Sequence, residues 1–574
     1  MPNPNAVASE LIARRESVTI EDGAHVQASS SVRTVSGRLS RELRKLSRSS
    51  TWTDGQLVAA VGAVLFLLAA WPLALTEVPP YQDLPNHLAA VTVIQNPEQY
   101  PEFVFNGFWK TNTALFAWLC VVGKVAGVKM AARLFALFVL AMNAFTIPRF
   151  VLAFTQSRRK MIVATFFAWP MVHNFFVSMG MLDFALGVPL SLALLIAIHS
   201  QRKAPTLLGA AGVTALGLVT WYAHVFPLLV VHLLVFVEIL RSRRWRADLM
   251  RVILPLTPVT LLVLNSLVQH LRDADGPMSA FVRNQKAVPA WELVYNLWAE
   301  WFWAFTKLEL STLVPCVLLG VFALVSVLRR ERAVPFLSGW AFLALTLLYV
   351  FCPYRFTNWY HVNSRVIPFV FFAMLVRVPE RLPKKLTVAL TASALLYSAG
   401  MGYDFIRLDA DRARFTAAMS VVPEHAKLLP LLFKHKGHSD NTRSLLHAWG
   451  YYVVEKQTSA PLLFAHSRSF PVMYAVPPPP RFNHLVLEGF APDMANEEGV
   501  CSAMAHVIPD DCDEIYRARW AEFWRDALPR FDHVLLWEPS AQALAQVPPE
   551  YKTLYGQGEL VVLQRSDYAP RVAR

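Results

Sequence analysis

Long apolar runs recur along roughly the first 400 residues, separated by short polar segments. A membrane-spanning helix needs about 20 predominantly apolar residues. The runs expected to span are Leu57–Leu75, Ala131–Ala153, Met161–Ser178, Phe184–His199, a hairpin of two within Pro205–Val237, Val252–Val268, Thr312–Leu328, Val334–Phe351, Ile367–Leu375 and Leu386–Met401. The pattern therefore predicts an α-helical polytopic membrane protein with about 11 transmembrane helices.

Basic clusters at the ends of these runs indicate orientation. They lie at 157–160, 201–203, 241–246, 329–332 and 377–385, and a further basic segment ends at Arg48. Such clusters collect on the cytoplasmic side of a membrane. An even number of spans must then separate neighbouring clusters, and about 11 spans satisfy this condition. We expect a cytoplasmic (inner) membrane protein with its N-terminus inside and its C-terminus outside.

Two further apolar stretches do not fit as spans. The stretch 113–127 is short and contains Lys124, and the stretch 291–305 contains acids and several tryptophans. Counting the first as a span would also place every later basic cluster outside. Lysine and tryptophan are well accommodated at a membrane interface. We therefore expect both stretches to be helices lying in the outer interface, which leaves a long first outer loop at 78–130.

The chain ends differ from the apolar body at 51–403. Residues 1–50 are Ser-rich and lack apolar periodicity, which predicts a disordered basic cytoplasmic tail. From 404 to 574 charge, proline and histidine increase, and "RFNHLVLEGF", "FDHVLLWEPS" and "GELVVLQRS" have the pattern of strands, whereas "DADRARFTAAMSVV" has that of a helix. This predicts an extracytoplasmic soluble α/β domain, in which a disulfide between Cys501 and Cys512 is plausible.

Composition supports the membrane interpretation and excludes several functions. The 574 residues are 55% hydrophobic and only 17% charged, with a mean hydropathy of +0.36. The net charge of +13 comes from clusters beside apolar runs, so we expect no nucleic-acid partner. The sequence contains no GxxxxGK[ST], no GxGxxG after a strand, no HExxH and no GxSxG. Their absence disfavours ATP-driven pumps, dinucleotide enzymes and the commoner hydrolases.

Ionisable residues gather at the predicted outer ends of the spans. They are Asp83, His87, Asp183, His224, Arg355, His361 and Arg365. Ionisable side chains at membrane depth are costly, and they are retained mainly where they serve a function. We therefore expect an active site at the outer face of the membrane.

Each of these residues also has a purely structural interpretation. Asp83 precedes Leu84-Pro85 and could cap a helix, and Asp183 could cap the span that follows it. His87 could be a polar-face residue, and His224 a turn histidine. Arg365 could extend its guanidinium to the interface without binding anything. The functional interpretation therefore rests on the whole set of residues.

Three short motifs resemble those of a known family. "YQDLPNHLA" is similar to the first-loop motif of the GT-C membrane glycosyltransferases, which include protein mannosyltransferases and the lipid A aminoarabinose transferase. "GMLDFALG" lies where that family places its second-loop acid, and "VNSRVIPF" is similar to its late-loop arginine segment. Together with the order of spans and loops, the resemblance covers about residues 57–403.

The resemblance implies a reaction. Asp83 would be the general base that deprotonates an acceptor, and Asp183 would position the acceptor or a cation. Arg365, assisted by Arg355, would hold the phosphate of a polyprenyl-phosphate sugar donor. The candidate substrate-binding residues also include His87, His224 and His361. The implied activity is transfer of a hexosyl or pentosyl group to an envelope lipid, glycan or protein at the outer face.

The sequence departs from the family in its first loop. Gln82 precedes Asp83, and the next acid is Glu98, whereas many relatives carry adjacent acids. A divalent metal is therefore left open as a cofactor, with no residue assigned as its ligand. A transporter or flippase of lipid-linked glycans and a non-catalytic envelope scaffold remain alternatives. The scattered histidines of the outer domain, including His447, His466 and His484, are expected to be ordinary surface residues.

Overall fold

A computed structural model describes residues 52–273, 290–302, 304–305, 309–329, 334–354, 360–465, 468–479, 482, 487 and 523–569. The predicted N-terminal tail, Arg355, His466, His484 and the pair Cys501 and Cys512 lie outside these residues. So does most of the strand predicted at 481–490. The helices and strands below are those of the described residues.

Helices make up the first three quarters of the described chain. They are α1 (Asp54–Ala70), α2 (Leu84–Gln95), α3 (Ala114–Ala126), α4 (Val128–Thr155), α5 (Arg158–Val172), α6 (Phe175–Ser178), α7 (Leu182–Lys203), α8 (Leu207–Ala223), α9 (Val225–Leu240), α10 (Trp245–Asp248), α11 (Leu254–Asp273), α12 (Ala290–Phe302), α13 (Glu309–Leu328), α14 (Gly339–Phe351), α15 (Ile367–Leu375) and α16 (Lys384–Phe415). A π-helical turn, Leu249–Ile253, joins α10 to α11, and 3₁₀ turns lie at Trp71–Ala74, Ser364–Val366 and Ala417–Ser420.

Each predicted span coincides with a helix. Among the described residues, seven helical segments are long and apolar enough to cross a membrane. The other predicted spans fall on shorter apolar helices, Leu207–Ala223, Val225–Leu240, Gly339–Phe351 and Ser364–Leu375. The two stretches predicted to lie in the interface form α3 and α12. The number of helices that cross the membrane and their direction stay predictions.

Polar caps separate the apolar helices. The Ser157 hydroxyl accepts from the Lys160 N–H at the start of α5, and the Thr206 hydroxyl accepts from the Gly209 N–H at the start of α8. Ser338 does the same for α14, where it accepts from the Ala341 N–H. These side chains satisfy backbone donors that a helix N-terminus cannot pair internally. The caps explain why the long apolar sequence divides into helices at these positions.

The centre of the helical body is formed by α5 and α7, both of which are mostly buried. An aromatic cluster lies next to the end of α5. Its rings are those of Tyr81, His173, Phe305 and Phe405, with neighbouring centroids 5.7 to 6.4 Å apart. Tyr81 is fully buried in this cluster and lies two residues before Asp83. The cluster therefore fixes the chain immediately before the first candidate site residue.

The C-terminal part contains a four-stranded mixed sheet. Its strands are β2 (Leu428–Leu432), β4 (His533–Trp537), β6 (Leu560–Arg565) and β5 (Tyr551–Gln557), in that spatial order. β2 and β4 are parallel, with Leu428 opposite His533, and the other pairs are antiparallel. The same part of the chain contains helices α17 (Gly450–Lys456) and α18 (Ala541–Ala545). Two of these strands, β4 and β6, fall within the segments "FDHVLLWEPS" and "GELVVLQRS" that were predicted as strands.

A single helix joins the helical body to this sheet. α16 runs for 32 residues without a break, so the boundary predicted between 403 and 404 falls inside it. Its last residue, Phe415, packs against Trp537 and Tyr452, with ring centroids 5.2 and 6.1 Å apart. Phe415 and Tyr452 are fully buried. The end of α16 is therefore part of the hydrophobic core of the C-terminal region.

The long first loop also joins the C-terminal region. Strand β1 (Phe103–Phe105) pairs antiparallel with β3 (Val472–Tyr474). Lys129, at the start of α4, forms salt bridges with Glu77 and Glu455, at 2.7 and 2.6 Å. Arg412 on α16 contacts Glu77 at 3.1 Å. The C-terminal region is thus bound to the helical body at several points besides α16.

Candidate active site

Asp83 lies at the start of α2, where the first loop meets the turn between α6 and α7. The Gln82 N–H donates to the Ser178 carbonyl at 3.1 Å, and the Asp83 N–H donates to the Met179 carbonyl at 3.0 Å. Asp83 occupies the N-cap position of α2, but its side chain makes no capping hydrogen bond. Asp83 therefore lies at the N-cap, as the structural interpretation expected, but without the side-chain hydrogen bond of a capping residue. The carboxylate is directed to other partners.

Two side chains approach the carboxylate of Asp83. The Gln82 Nε2 amide donates to Asp83 Oδ1 at 3.1 Å, and His447 Nε2 lies 3.5 Å from the same oxygen. The Gln82 Oε1 atom accepts from the Arg443 N–H at 2.8 Å. The Asp83 side chain remains 14% exposed. It is held in place and still accessible to a small group, as a general base must be.

His447 does not lie on the surface, as the sequence led us to expect. It is 1% exposed and packs edge-on against the Phe464 ring, with centroids 4.9 Å apart. The prediction of an ordinary surface histidine is wrong because His447 lies on a segment that folds back over α2. Gly450 on this segment lies directly against the Pro85 carbonyl. Only the three-dimensional fold brings His447 to Asp83.

His87 lies one turn after Asp83 on α2. Its ring contacts those of Phe116 and Phe464, with centroids 5.0 and 6.2 Å apart. Burial lowers the pKa of His87 to about 4, although the nearby Asp83 acts in the opposite direction. His87 is therefore neutral near pH 7. It forms a wall of the site next to the Asp83 carboxylate.

Arg365 and His224 form a second part of the site. Arg365 Nη1 lies 2.8 Å from His224 Nε2, and Arg365 Nη2 donates to the Tyr360 carbonyl at 3.3 Å. The guanidinium lies over the Phe184 ring, 5.5 Å from its centroid. Arg365 is buried and within electrostatic range of Asp83. It is therefore fixed inside the protein, and the interpretation that it only extends to the interface is wrong.

His224 has two directed contacts. Its Nδ1 accepts from the Phe226 N–H at 3.1 Å and so caps α9. A neutral imidazole has one acceptor nitrogen, so the proton of neutral His224 is on Nε2. This Nε2–H faces the guanidinium of Arg365, which can only donate. Two donor groups side by side can together bind an anion.

Asp183 is buried and has a specific partner. Its Oδ1 accepts from the Leu115 N–H at 2.8 Å, in the first turn of α3. The N-cap of its own helix is Met181, so Asp183 does not cap the span that follows it. It instead holds the start of α3 against α7. The role in positioning an acceptor or a cation, which the resemblance implies, stays a prediction.

His361 belongs to a network that supports the arginine segment. Its Nδ1 lies 2.9 Å from Glu300 Oε1, and the Tyr354 hydroxyl donates to the same oxygen at 3.0 Å. The Ser364 hydroxyl donates to the other oxygen, Glu300 Oε2. Burial of Glu300 opposes its ionisation, but the charge and hydrogen bond of His361 and the two hydroxyls outweigh it and lower its pKa overall. The network anchors residues 361–364 to α12.

The structure thus brings most predicted site residues to one region. Asp83 and His87 lie on α2, His224 and Arg365 face each other, and His361 anchors the segment that carries Arg365. Sequence reasoning missed Glu300, and it noted Gln82 only as a departure from the family. The single signal for Glu300 was an acid within a tryptophan-rich apolar stretch.

A divalent metal has no complete ligand set in the described part of the chain. No group of three or more His, Cys, Asp or Glu side chains is arranged there to hold a metal ion. Asp83 and His447 form only a pair. Among the described residues, a divalent metal therefore stays without an assigned ligand.

Comparison with known proteins identifies the fold. No protein-family model and no curated protein sequence matches the chain. The crystal structure of apo ArnT from Cupriavidus metallidurans matches with a TM-score of 0.51 and 11% identity, covering 88% of this chain and 97% of that one. The structure of the same enzyme bound to undecaprenyl phosphate gives a TM-score of 0.46 with the same coverage and identity. The chain is a multi-pass membrane protein with the GT-C fold of the aminoarabinose transferase ArnT.

Proposed function

We propose that the protein is a membrane glycosyltransferase of the GT-C type. It transfers a hexosyl or pentosyl group from a polyprenyl-phosphate donor to an envelope lipid, glycan or protein. The reaction takes place at the outer face of the cytoplasmic membrane. The observation that carries the proposal is the placement of an accessible carboxylate, Asp83, within electrostatic range of a buried arginine, Arg365. The shared ArnT fold supports it.

Asp83 acts as the general base. Its backbone is fixed by the turn at 178–179, and Gln82 donates to Oδ1, so one carboxylate oxygen is already oriented. The carboxylate takes the proton of an acceptor hydroxyl or amine while that atom attacks the anomeric carbon. The bond between the anomeric carbon and the phosphate oxygen breaks, and its electron pair remains on the phosphate. Such proton transfer typically contributes about 10²–10⁴-fold to the rate.

Arg365 and His224 bind the phosphate of the donor. The two side chains lie next to each other, with Arg365 Nη1 2.8 Å from His224 Nε2, and the guanidinium keeps its charge at any physiological pH. The negative charge on the leaving polyprenyl phosphate increases in the transition state. Donors that are fixed before the reaction stabilise this charge without reorganising. The Glu300 network fulfils a supporting role, because it anchors the segment from which Arg365 extends.

Mass spectrometry of envelope lipids and glycans from a deletion strain tests the proposal. The strain is complemented with the wild-type chain, with Asp83→Asn or with Glu98→Gln, at matched protein levels. Glu98 is an exposed acid of the same loop and serves as the control. We expect a sugar modification to disappear on deletion and to return with the wild type and with Glu98→Gln, but not with Asp83→Asn.

This experiment and reconstitution together separate the alternatives. Full restoration of the glycan by Asp83→Asn would overturn the proposed chemistry and favour the transporter or the non-catalytic scaffold. A transporter or flippase would move a lipid-linked glycan across reconstituted vesicles without forming a new glycosidic bond. Formation of that bond by the purified wild-type chain from a polyprenyl-phosphate sugar would exclude both.

A further inference from the structure

The segment 435–450 covers the site from the C-terminal region. The Arg443 N–H donates to Gln82 Oε1 at 2.8 Å, and Gly450 lies against the Pro85 carbonyl. Further along the chain, the Phe464 N–H donates to Asn86 Oδ1 at 3.2 Å. The first turns of α2 are therefore surrounded by residues from the C-terminal region.

His447 is the residue of this segment that reaches the candidate base. Its Nε2 lies 3.5 Å from Asp83 Oδ1, and the side chain is 2% exposed. The edge-on contact with Phe464 restricts the ring. A distance of 3.5 Å is longer than a hydrogen bond, but contacts between catalytic groups are often long without substrate and shorten when it binds. The geometry is that of a base with an orienting partner.

We propose that His447 is a positioning residue for Asp83. Its Nε2–H donates to Asp83 Oδ1 and orients the carboxylate toward the acceptor. The proton of the acceptor heteroatom moves to Asp83, and no oxidant or reductant is needed. This inference rests on the proposed function, and it makes the C-terminal region a part of the active site.

The neighbouring groups leave the orienting role to His447. The His87 ring contacts Phe116 and Phe464. Arg443 reaches the site through its backbone N–H, which donates to Gln82. The side chains of Gln82 and His447 are the ones that approach Asp83 Oδ1, and His447 comes from the C-terminal region.

Steady-state kinetics of the full-length protein in vesicles test the inference. His447→Gln retains an amide that can donate to Asp83, whereas His447→Ala retains no donor. We expect His447→Ala to lower kcat about 10²-fold, with the KM for the polyprenyl-phosphate sugar changed less than about threefold, and His447→Gln to recover about tenfold of that loss. His435→Gln, the same change on a half-buried neighbour, should retain kcat within about twofold.

A double variant supplies a second readout. Groups that act as a unit lose activity non-additively. Asp83→Asn combined with His447→Ala should be no slower than Asp83→Asn alone. Wild-type kcat in His447→Ala, an effect confined to KM, or multiplicative losses in the double variant would each overturn the role of His447. If instead Asp83→Asn alone retained wild-type activity, the proposed function itself would fail, so the two failures are distinguishable.

Discussion

Gly180 lies so close to Asp83 that a methyl group on Gly180 would meet the Asp83 backbone nitrogen at 2.9 Å. Gly180 also has a φ of +81°, a conformation that other residues adopt only with strain. The position of the candidate base therefore depends on a glycine in the turn between α6 and α7. This turn belongs to the motif "GMLDFALG", which the sequence singled out for Asp183.

Gly180→Ala should impair both stability and catalysis. The left-handed backbone costs a residue with a Cβ about 1–2 kcal/mol, and the methyl group displaces Asp83 from its contact with Met179. We expect a lower unfolding temperature in detergent and a reduced kcat. Gly212→Ala is the matched control, because no atom lies within 4 Å of its added methyl group. Equal behaviour of the two variants would contradict the close contact.

Replacing Arg365 should weaken binding of the donor. Arg365→Lys keeps the positive charge but loses the planar fork that can bind phosphate through two nitrogens. We expect the KM for the polyprenyl-phosphate sugar to rise about tenfold, which corresponds to about 1.4 kcal/mol. Arg525→Lys, on an exposed side chain, should leave the KM unchanged. An unchanged KM in Arg365→Lys would show that Arg365 does not contact the phosphate.

Stability should fall as the pH is lowered from neutral. The pKa of His87 is about 4 in the folded state, against an ordinary value of 6.5. Between these values the unfolded chain binds a proton that the folded chain does not, so the stability decreases with falling pH. For His87 alone this amounts to about 2 kcal/mol between pH 7.5 and pH 5. Denaturant unfolding in detergent at the two pH values measures the loss.

The variant His87→Gln isolates this contribution. Glutamine does not titrate, so the difference in stability between pH 7.5 and pH 5 should shrink by about 2 kcal/mol. The variant is expected to be less stable at pH 7.5, because the ring contacts with Phe116 and Phe464 are lost. An unchanged dependence on pH would mean that His87 is already protonated in the folded protein.

Removing the Glu300 carboxylate should loosen the segment that carries Arg365. Glu300→Ala leaves His361, Tyr354 and Ser364 without their common acceptor in a buried position. Breaking a buried network of this kind costs about 3 kcal/mol or more. We expect a lower unfolding temperature and a higher KM for the donor. Glu292→Gln, on the same helix α12, is the control and should change neither quantity.

The helices of this protein could be predicted from its sequence because long apolar runs indicate helices that are buried in lipid or in protein. The apolar stretches of α3 and α12 were also predicted as helices. Lys124 and the tryptophans were the reason for not counting them as membrane spans. The continuity of α16 was missed because charge increases after Met401, and charge was taken as a domain boundary. A helix that leaves an apolar environment changes its composition without ending.

The site was less predictable than the fold. Asp83, His224 and Arg365 could be singled out because ionisable residues are rare near apolar runs. Gln82 and Arg443 are 361 positions apart, and no local pattern signals such a contact. His447 was misjudged for the same reason, since its burial depends on where the segment 435–450 folds. Glu300 was missed because its partners lie on a different segment of the chain.

Because α16 is unbroken, its length can be compared with the thickness of a bilayer. A helix of 32 residues rises about 48 Å at 1.5 Å per residue, whereas the hydrocarbon core of a bilayer is about 30 Å thick. The helix therefore extends beyond one hydrocarbon core and ends in the core of the C-terminal region, where Phe415 packs against Trp537. Because this connection is a continuous helix and not a flexible linker, we expect a lipid-linked donor of the proposed reaction to reach the site laterally, from the plane of the bilayer.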